Sequence, residues 1–284
     1  MPLPADRVRA RAPSTPPHGP HARAPRIGIF DSGVGGLSVL RAIRAELPHA
    51  ELLYVADTGH APYGERTVEY LCDRSERIAR FLTDAGAGIV VVACNTATAA
   101  AVAALRGASP DLPLVGVEPG IKPAVALSAA RRIGVLATTR TLASDKFQRL
   151  AQAHAAGAAL VLQACPGLAE AIEAADADDD RLEAMVERYS APLRAAGVDV
   201  AVLGCTHYPF ARSLFERALP GVRLIDTADA VARQTARLAA DLGPNGPRGA
   251  APALRAWSSG APQALATFAQ RWLGVHVDVQ EMRC

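Results

Sequence analysis

The chain has 284 residues, half of them hydrophobic and a fifth charged, and its formal net charge is only +2. That balance excludes a strongly electrostatic nucleic-acid binder and suits a globular body of two moderate domains. No apolar run reaches the roughly 20 residues needed to span a bilayer.

Residues 1–25 carry four arginines, no lysine and a single acid, Asp6. Their Pro, Ala, Arg and His content reads as a disordered tail, and the lack of an apolar h-region argues against a secretory signal. Five cysteines, at 72, 94, 165, 205 and 284, follow no metal-ligand or disulfide spacing. Reduced thiols in a cytoplasmic setting are expected, with no metal site.

Arg26–Phe30 reads as a buried strand, followed by DSGVGG and a helix near Leu37–Leu47. Glu51–Ala56 is a second strand, Thr67–Ala85 has helical periodicity, Ile89–Ala93 is a strand, Thr96–Leu105 a small-residue helix and Leu114–Val117 a short strand. The theme then repeats. Ile133–Ala137 is a strand, Ser144–Ala156 a helix, Ala159–Gln163 a strand, Arg181–Ala196 a helix and Val200–Leu203 a strand. A helix starts near Pro209, and Leu224–Ile225 closes the unit. Asp229–Leu242 reads as a helix, Gly243–Pro252 as a loop, and Trp257 to Val279 adds a strand and a helix with Trp257, Phe268, Trp272 and Leu273 in the core. Short buried runs alternating with helices predict an α/β fold: two pseudo-symmetric, doubly wound domains with mainly parallel sheets and the site in the cleft between them.

Two segments mirror each other. GIVVVACNTA (88–97) and VDVAVLGCTHY (198–208) both end an apolar run in a small residue, a cysteine and a polar residue, with Cys94 and Cys205 111 positions apart. RIGIF (26–30) and RIGVL (132–136) repeat at a similar offset of 106. Matching thiols at matching strand ends suggest a pair facing each other across a cleft, able to exchange protons with one carbon from opposite sides. Each precedes a helix, where amides and the helix dipole favour thiolate. A single nucleophilic cysteine assisted by His207 would leave Cys94 unexplained. Cys72 reads as a small buried hydrophobe on its helix, and Cys165 fits that reading less well.

The glycine loop Gly33-Val34-Gly35-Gly36 is a partial dinucleotide signature, with Ser38 in place of the third glycine and Asp57 near the spacing of a ribose-binding acid. Close approach to a small anionic ligand at a helix N-terminus is the competing reading. Lys122 and Lys146, the two lysines, lie in no Schiff-base context. Tyr63-Gly64 offers a hydroxyl and bare amides for a carboxylate.

IGIFDSGVGGLSVL, DTGHAPYGER, VVACNTATA, VEPGIKPA and VLGCTHYPF closely resemble the glutamate racemases, a branch of the cofactor-independent aspartate/glutamate racemase superfamily. The resemblance runs from about Ile27 to about Leu273. It implies interconversion of L- and D-glutamate without cofactor, with Cys94 and Cys205 as the two acid/base residues, the first serving the D-isomer and the second the L-isomer. It further implies that Asp31, Glu173 and His207 assist the thiols. Asp31, Ser32, Tyr63, Gly64, Asn95, Thr96, Thr138, Thr141, Thr206 and His207 would contact glutamate. Gly120, where alanine is commoner, and Ala137, in place of a glycine, depart from the family wording, as does CPGLAEAIE around Glu173. The resemblance also implies a first domain of 26–117 plus 227–284, a second of 118–226, a homodimer, a cytoplasmic location and D-glutamate supply for peptidoglycan synthesis. Some members inhibit DNA gyrase; the Arg-rich tail is the feature such a contact would use. Rival readings are a sister enzyme acting on aspartate, hydantoins or malonates, of which the decarboxylase branch keeps one cysteine, and a non-enzymatic binding protein.

Overall fold

A computed structural model describes residues 25–155, 157–174, 179–242 and 253–283. The tail 1–24, the whole of the loop read at 243–252 and Cys284 lie outside the described residues.

The first half runs β1 (Arg26–Asp31), α1 (Leu37–Glu46), β2 (Glu51–Ala56), α2 (Val68–Asp84), β3 (Ile89–Val92), α3 (Asn95–Ala108) and β4 (Leu114–Gly116). The second runs α4 (Ile121–Leu127), β5 (Arg132–Ala137), α5 (Thr139–Ala143), α6 (Asp145–His154), β6 (Ala159–Ala164), α7 (Leu168–Ala174), α8 (Asp180–Ala195), β7 (Val200–Leu203), α9 (Arg212–Ala218) and β8 (Arg223–Ile225). The chain then adds α10 (Ala228–Asp241), β9 (Leu254–Ser258), α11 (Pro262–Leu273) and β10 (Val279–Glu281). No described helix is long and apolar enough to cross a membrane.

Among the described residues every strand pair is parallel, as continuous apolar runs such as IVVV and VAVL demand when both faces are covered. One sheet has the order β10-β9-β2-β1-β3-β4, the other β6-β5-β7-β8. The four-strand order β2-β1-β3-β4 is therefore repeated as β6-β5-β7-β8, which gives the two sequence echoes a structural counterpart. Register agrees: Phe30 pairs with Val92, and Leu136 with Leu203.

Local chemistry sets the helix starts. Thr67 caps α2 by accepting from the Tyr70 amide, and Thr138 caps α5 by accepting from the Thr141 amide at 3.2 Å. The helix expected from Pro209 begins instead as a 3₁₀ turn over Tyr208–Ala211, with α9 starting at Arg212. Helices α4 and α5 were not foreseen; at seven and five residues they are too short to show a periodic face. Of the four core residues expected near the C-terminus, Trp257 and Phe268 are buried, whereas Trp272 and Leu273 are partly buried against the core.

The two sheets are joined by apolar packing as well as by the chain. Phe210, just after Cys205, meets Phe268 of α11 edge-to-face at 5.0 Å and Trp272 at 5.5 Å. One buried apolar cluster runs through strand residues of both sheets, including Ile29, Val91, Leu136 and Leu203.

Candidate active site

Strand order reverses at β1/β3 in one sheet and at β5/β7 in the other. Ligands in such folds bind beyond the carboxyl ends of the strands at these switch points. The chain places Ser32 after β1, Cys94 two residues after β3, Thr138 after β5 and Cys205 two residues after β7. All four line one cavity of about 320 Å³ between the sheets. Asn95, Thr96, Thr206, His207, Glu173, Tyr63 and Gly64 share its wall.

The two thiols have different surroundings. Cys94 caps α3, with the Ala97 amide donating to Sγ at 3.5 Å and Ser32 Oγ lying 3.6 Å away. Burial and the Asp31 carboxylate push this thiol up to about 12, against the lowering effect of Ala97 and Ser32. The sequence-based expectation of a helix-favoured thiolate is thus corrected at Cys94. One capping amide does not offset the removal of water and a neighbouring acid. Cys205 Sγ instead lies 3.7 Å from His207 Nδ1, and His207 Nε2 lies 2.6 Å from Glu173 Oε1. Burial opposes the imidazolium, but hydrogen bonds and charge from Cys205 and Glu173 outweigh it, and the His207 pKa lies well above its ordinary value. Burial likewise pushes Glu173 up, yet His207 and the Val34 amide, which donates at 3.2 Å, hold it below the ordinary carboxyl value.

Asp31 is fully buried behind Ser32 and does not line the cavity. Burial raises its pKa to about 6, although His207, the Gly33 amide (2.8 Å) and the Thr206 hydroxyl (2.9 Å) all favour the carboxylate. The Thr206 bond crosses from one sheet's loops to the other's. So does the contact between Thr96 Oγ1 and Thr138 Oγ1 at 3.1 Å. Thr141 is 1% exposed and backs Thr138 at 2.9 Å rather than lining the cavity.

Tyr63 forms part of the wall, but its hydroxyl points away from the open space and donates to Asp57 Oδ2 at 2.5 Å. What residues 63–64 leave for a ligand is backbone. A Cβ on Gly64 would meet only Thr138 Cβ, at 3.9 Å, so the two face each other across the cleft. Asp57 is gripped by Arg74 of α2, with Nη2–Oδ1 at 2.7 Å and Nε–Oδ2 at 3.1 Å. It has no exposed surface, which removes it as a ribose-binding acid.

Sequence reasoning missed the Asp57–Arg74 pair and undervalued Cys165. This third thiol lines the cavity beyond β6, and burial pushes it up to about 12. Its strand-end position, like that of Cys94 and Cys205, was the available signal. Cys72 is only half-buried on α2, with Sγ 3.5 Å from Ala100 O, and lies off the cavity wall. Glu65 and Glu170 are exposed and stand on opposite lips. Among the described residues no lysine or arginine lines the cavity, and no group of three or more His, Cys, Asp or Glu could hold a metal ion.

Residues 37–235 match the Asp/Glu/Hydantoin racemase family. A glutamate racemase of Pseudomonas putida is 51% identical over 246 residues, covering 86% of this chain and 92% of the relative. One from Pseudomonas paraeruginosa is 49% identical over 245 residues, with coverage of 86% and 92%. Among solved structures, a glutamate racemase isoform from Bacillus anthracis superposes with a TM-score of 0.83 at 31% identity, covering 91% of this chain and 97% of that one. The Escherichia coli glutamate racemase, crystallised with L-glutamate and the activator UDP-MurNAc-Ala, gives 0.77 at 31% identity, with coverage of 91% and 97%.

Proposed function

The chain belongs to the Asp/Glu/Hydantoin racemase family, and on that premise we propose that it interconverts L- and D-glutamate by two opposed thiols, without a cofactor. The observation that carries this reading is the placement of Cys94 and Cys205 at equivalent strand ends on one cavity, each with its own acid or base partner. From L-glutamate, Cys205 takes the α-proton, so the Cα–H bond breaks as an S–H bond forms. Cys94 gives its thiol proton to the opposite face of the carbon and is left as thiolate; the D-to-L direction reverses both steps. The imidazolium of His207 stabilises negative charge on Cys205 before proton transfer, and Cys94 is held as the neutral donor. Glu173 positions His207 through the bond between them.

With no lysine or arginine on the described wall, and the His207 imidazolium engaged by Cys205 and Glu173, the substrate carboxylates fall to hydroxyls and backbone amides at chain turns and helix starts. Thr96, Thr138 and Thr206 supply such groups, together with the backbone at 63–64. Ser32 and Asn95, whose Nδ2 is buried without a partner, are offered to the amino acid as well. We read the sheet containing β1–β4, β9 and β10, with residues 26–117 and 227–284, as one lobe and residues 118–226 as the other. The same reading makes the protein a cytoplasmic homodimer that supplies D-glutamate for peptidoglycan synthesis.

The test is the circular dichroism of L-glutamate mixed with purified, cofactor-free protein. Decay of the signal to zero supports the reading. A constant signal from folded, reduced protein contradicts it and points to aspartate or hydantoin substrates.

A further inference from the structure

The glycine loop after β1 lies against the other lobe. A Cβ on Gly35 would come within 2.5 Å of Thr206 Oγ1 and 2.6 Å of His207 Cε1, and closer still to Nδ1, the atom that faces Cys205. A Cβ on Gly33 would fall well inside 3.0 Å of Glu173 Oε1, with His207 Nε2 at 3.6 Å. Two glycines of one lobe thus lie flat under the His207–Glu173 pair of the other. Real Cβ atoms essentially never approach a neighbour so closely, so something must shift if either gains a side chain.

Neither side is free to yield. The Tyr54 hydroxyl donates to Gly33 O at 2.9 Å, the Gly33 amide donates to Asp31, and Ser38 Oγ lies 2.8 Å from Gly35 O and 3.0 Å from Thr206 O. On the other side His207 is held at both ring nitrogens, and Glu173 also accepts from the Val34 amide of the same loop.

We infer that Gly33 and Gly35 form a bare shelf that sets the position of His207 against Cys205 when the lobes meet, which makes them positioning residues for the Cys205 half of the reaction. The inference rests on the racemase reading for its kinetic readout but not for its geometry. Gly35→Ala should lower kcat about 100-fold, the scale of losing a general acid–base partner, with KM within about threefold of the parent. Because both changes would remove the same function, Gly35→Ala added to His207→Asn should cost little more than His207→Asn alone. Nitrogen-15 NMR of His207 gives the readout that a general loss of stability would not move. The ring should remain imidazolium through neutral pH in the parent and titrate near the ordinary value of about 6.5 in Gly35→Ala. Gly107→Ala, on α3 with nothing within 4 Å of the new methyl, is the control and should keep full activity. If Gly35→Ala does not fold, Gly33→Ala, whose methyl meets Glu173 Oε1 and lies 3.6 Å from His207 Nε2, should still lower kcat and the His207 pKa, by less. Parent-like kcat with an unchanged His207 titration in the folded variant, or fully additive losses with His207→Asn, would overturn the shelf. Absence of glutamate turnover in the parent would instead remove the racemase reading and leave the NMR titration to decide the shelf.

Discussion

Cys94 and Cys205 occupy equivalent ends of equivalent strands in a repeated four-strand order, yet their neighbours have opposite chemistry. Cys94 is enclosed beside a buried carboxylate and is held as a neutral thiol. Cys205 faces an imidazole that is itself anchored by Glu173 and kept protonated. The repeated strand order places two thiols in equivalent positions; on the proposed mechanism the residues around them set, in the L-to-D direction, one to give a proton and the other to take one. A symmetric pair would resist both roles, because two neutral thiols offer no base and two thiolates repel across a desolvated cavity.

The sharpest way to break this comparison is to remove either thiol. Cys94→Ser and Cys205→Ser should each lower kcat by about 10³-fold or more in both directions, since each inversion uses both groups. Cys72→Ser, off the cavity wall, should leave it unchanged. Near-normal turnover by either active-site variant would end the two-thiol mechanism.

Next in size is His207→Asn. It should lower kcat about 100-fold and raise the primary isotope effect more for α-deuterated L-glutamate than for the D-isomer, because only the Cys205 side loses its partner. Equal changes for the two isomers would mean that the thiols are not differentiated by their neighbours.

Arg74→Met probes the wall instead of the thiols. It strips a fully buried Asp57 of its cation, at a cost of about 3 kcal/mol in a denaturant melt. With Asp57 no longer fixed, Tyr63 and the 63–64 backbone lose their anchor, so KM should rise more than kcat falls. A kcat loss at unchanged KM would place this pair on the chemistry and not on binding.

The smallest effect is a pH effect at Asp31, whose pKa is raised from 3.8 to about 6. A raised pKa means that the folded state binds the proton more tightly. The group's stability contribution is therefore full below about pH 3.8 and lost as pH rises through about 6. Asp31→Asn should accordingly raise the melting temperature at pH 7.5, by an amount on the order of 2 kcal/mol in stability, and leave it nearly unchanged at pH 3.8. In the parent, kcat/KM should fall as pH drops through about 6, where protonation of Asp31 weakens the Thr206 bond between the lobes. A pH profile of Asp31→Asn that keeps this limb would assign it to another group.

What was legible in the sequence was what local pattern controls. The runs IVVV and VAVL, the cysteines just beyond them and the alternation of strands with helices located both thiols and the class of fold. His207 was legible because it lies two residues from Cys205. What was not legible depends on which surfaces meet. Glu173 reaches Val34, 139 positions away, through a docking of lobes that no local pattern encodes. The glycines of DSGVGG carry a phosphate-loop look, and only the folded contact shows that they make room for His207 and Glu173. The sequence alone offers Tyr63 as a hydroxyl for substrate, because its partner Asp57 and the Arg74 behind it sit on separate elements. The thiolate expected at Cys94 came from its helix start, a local feature, and was overridden by burial and by Asp31 from another strand.

The most direct test of opposed, differentiated thiols is racemisation of L-glutamate in D₂O, stopped at low conversion and read by mass spectrometry of each separated enantiomer. Two thiols on opposite faces predict D-glutamate carrying solvent deuterium at Cα and recovered L-glutamate still protonated there. Deuterium appearing as fast in recovered L-glutamate, or D-glutamate retaining the original proton, would contradict the mechanism, since either outcome requires one group to serve both faces.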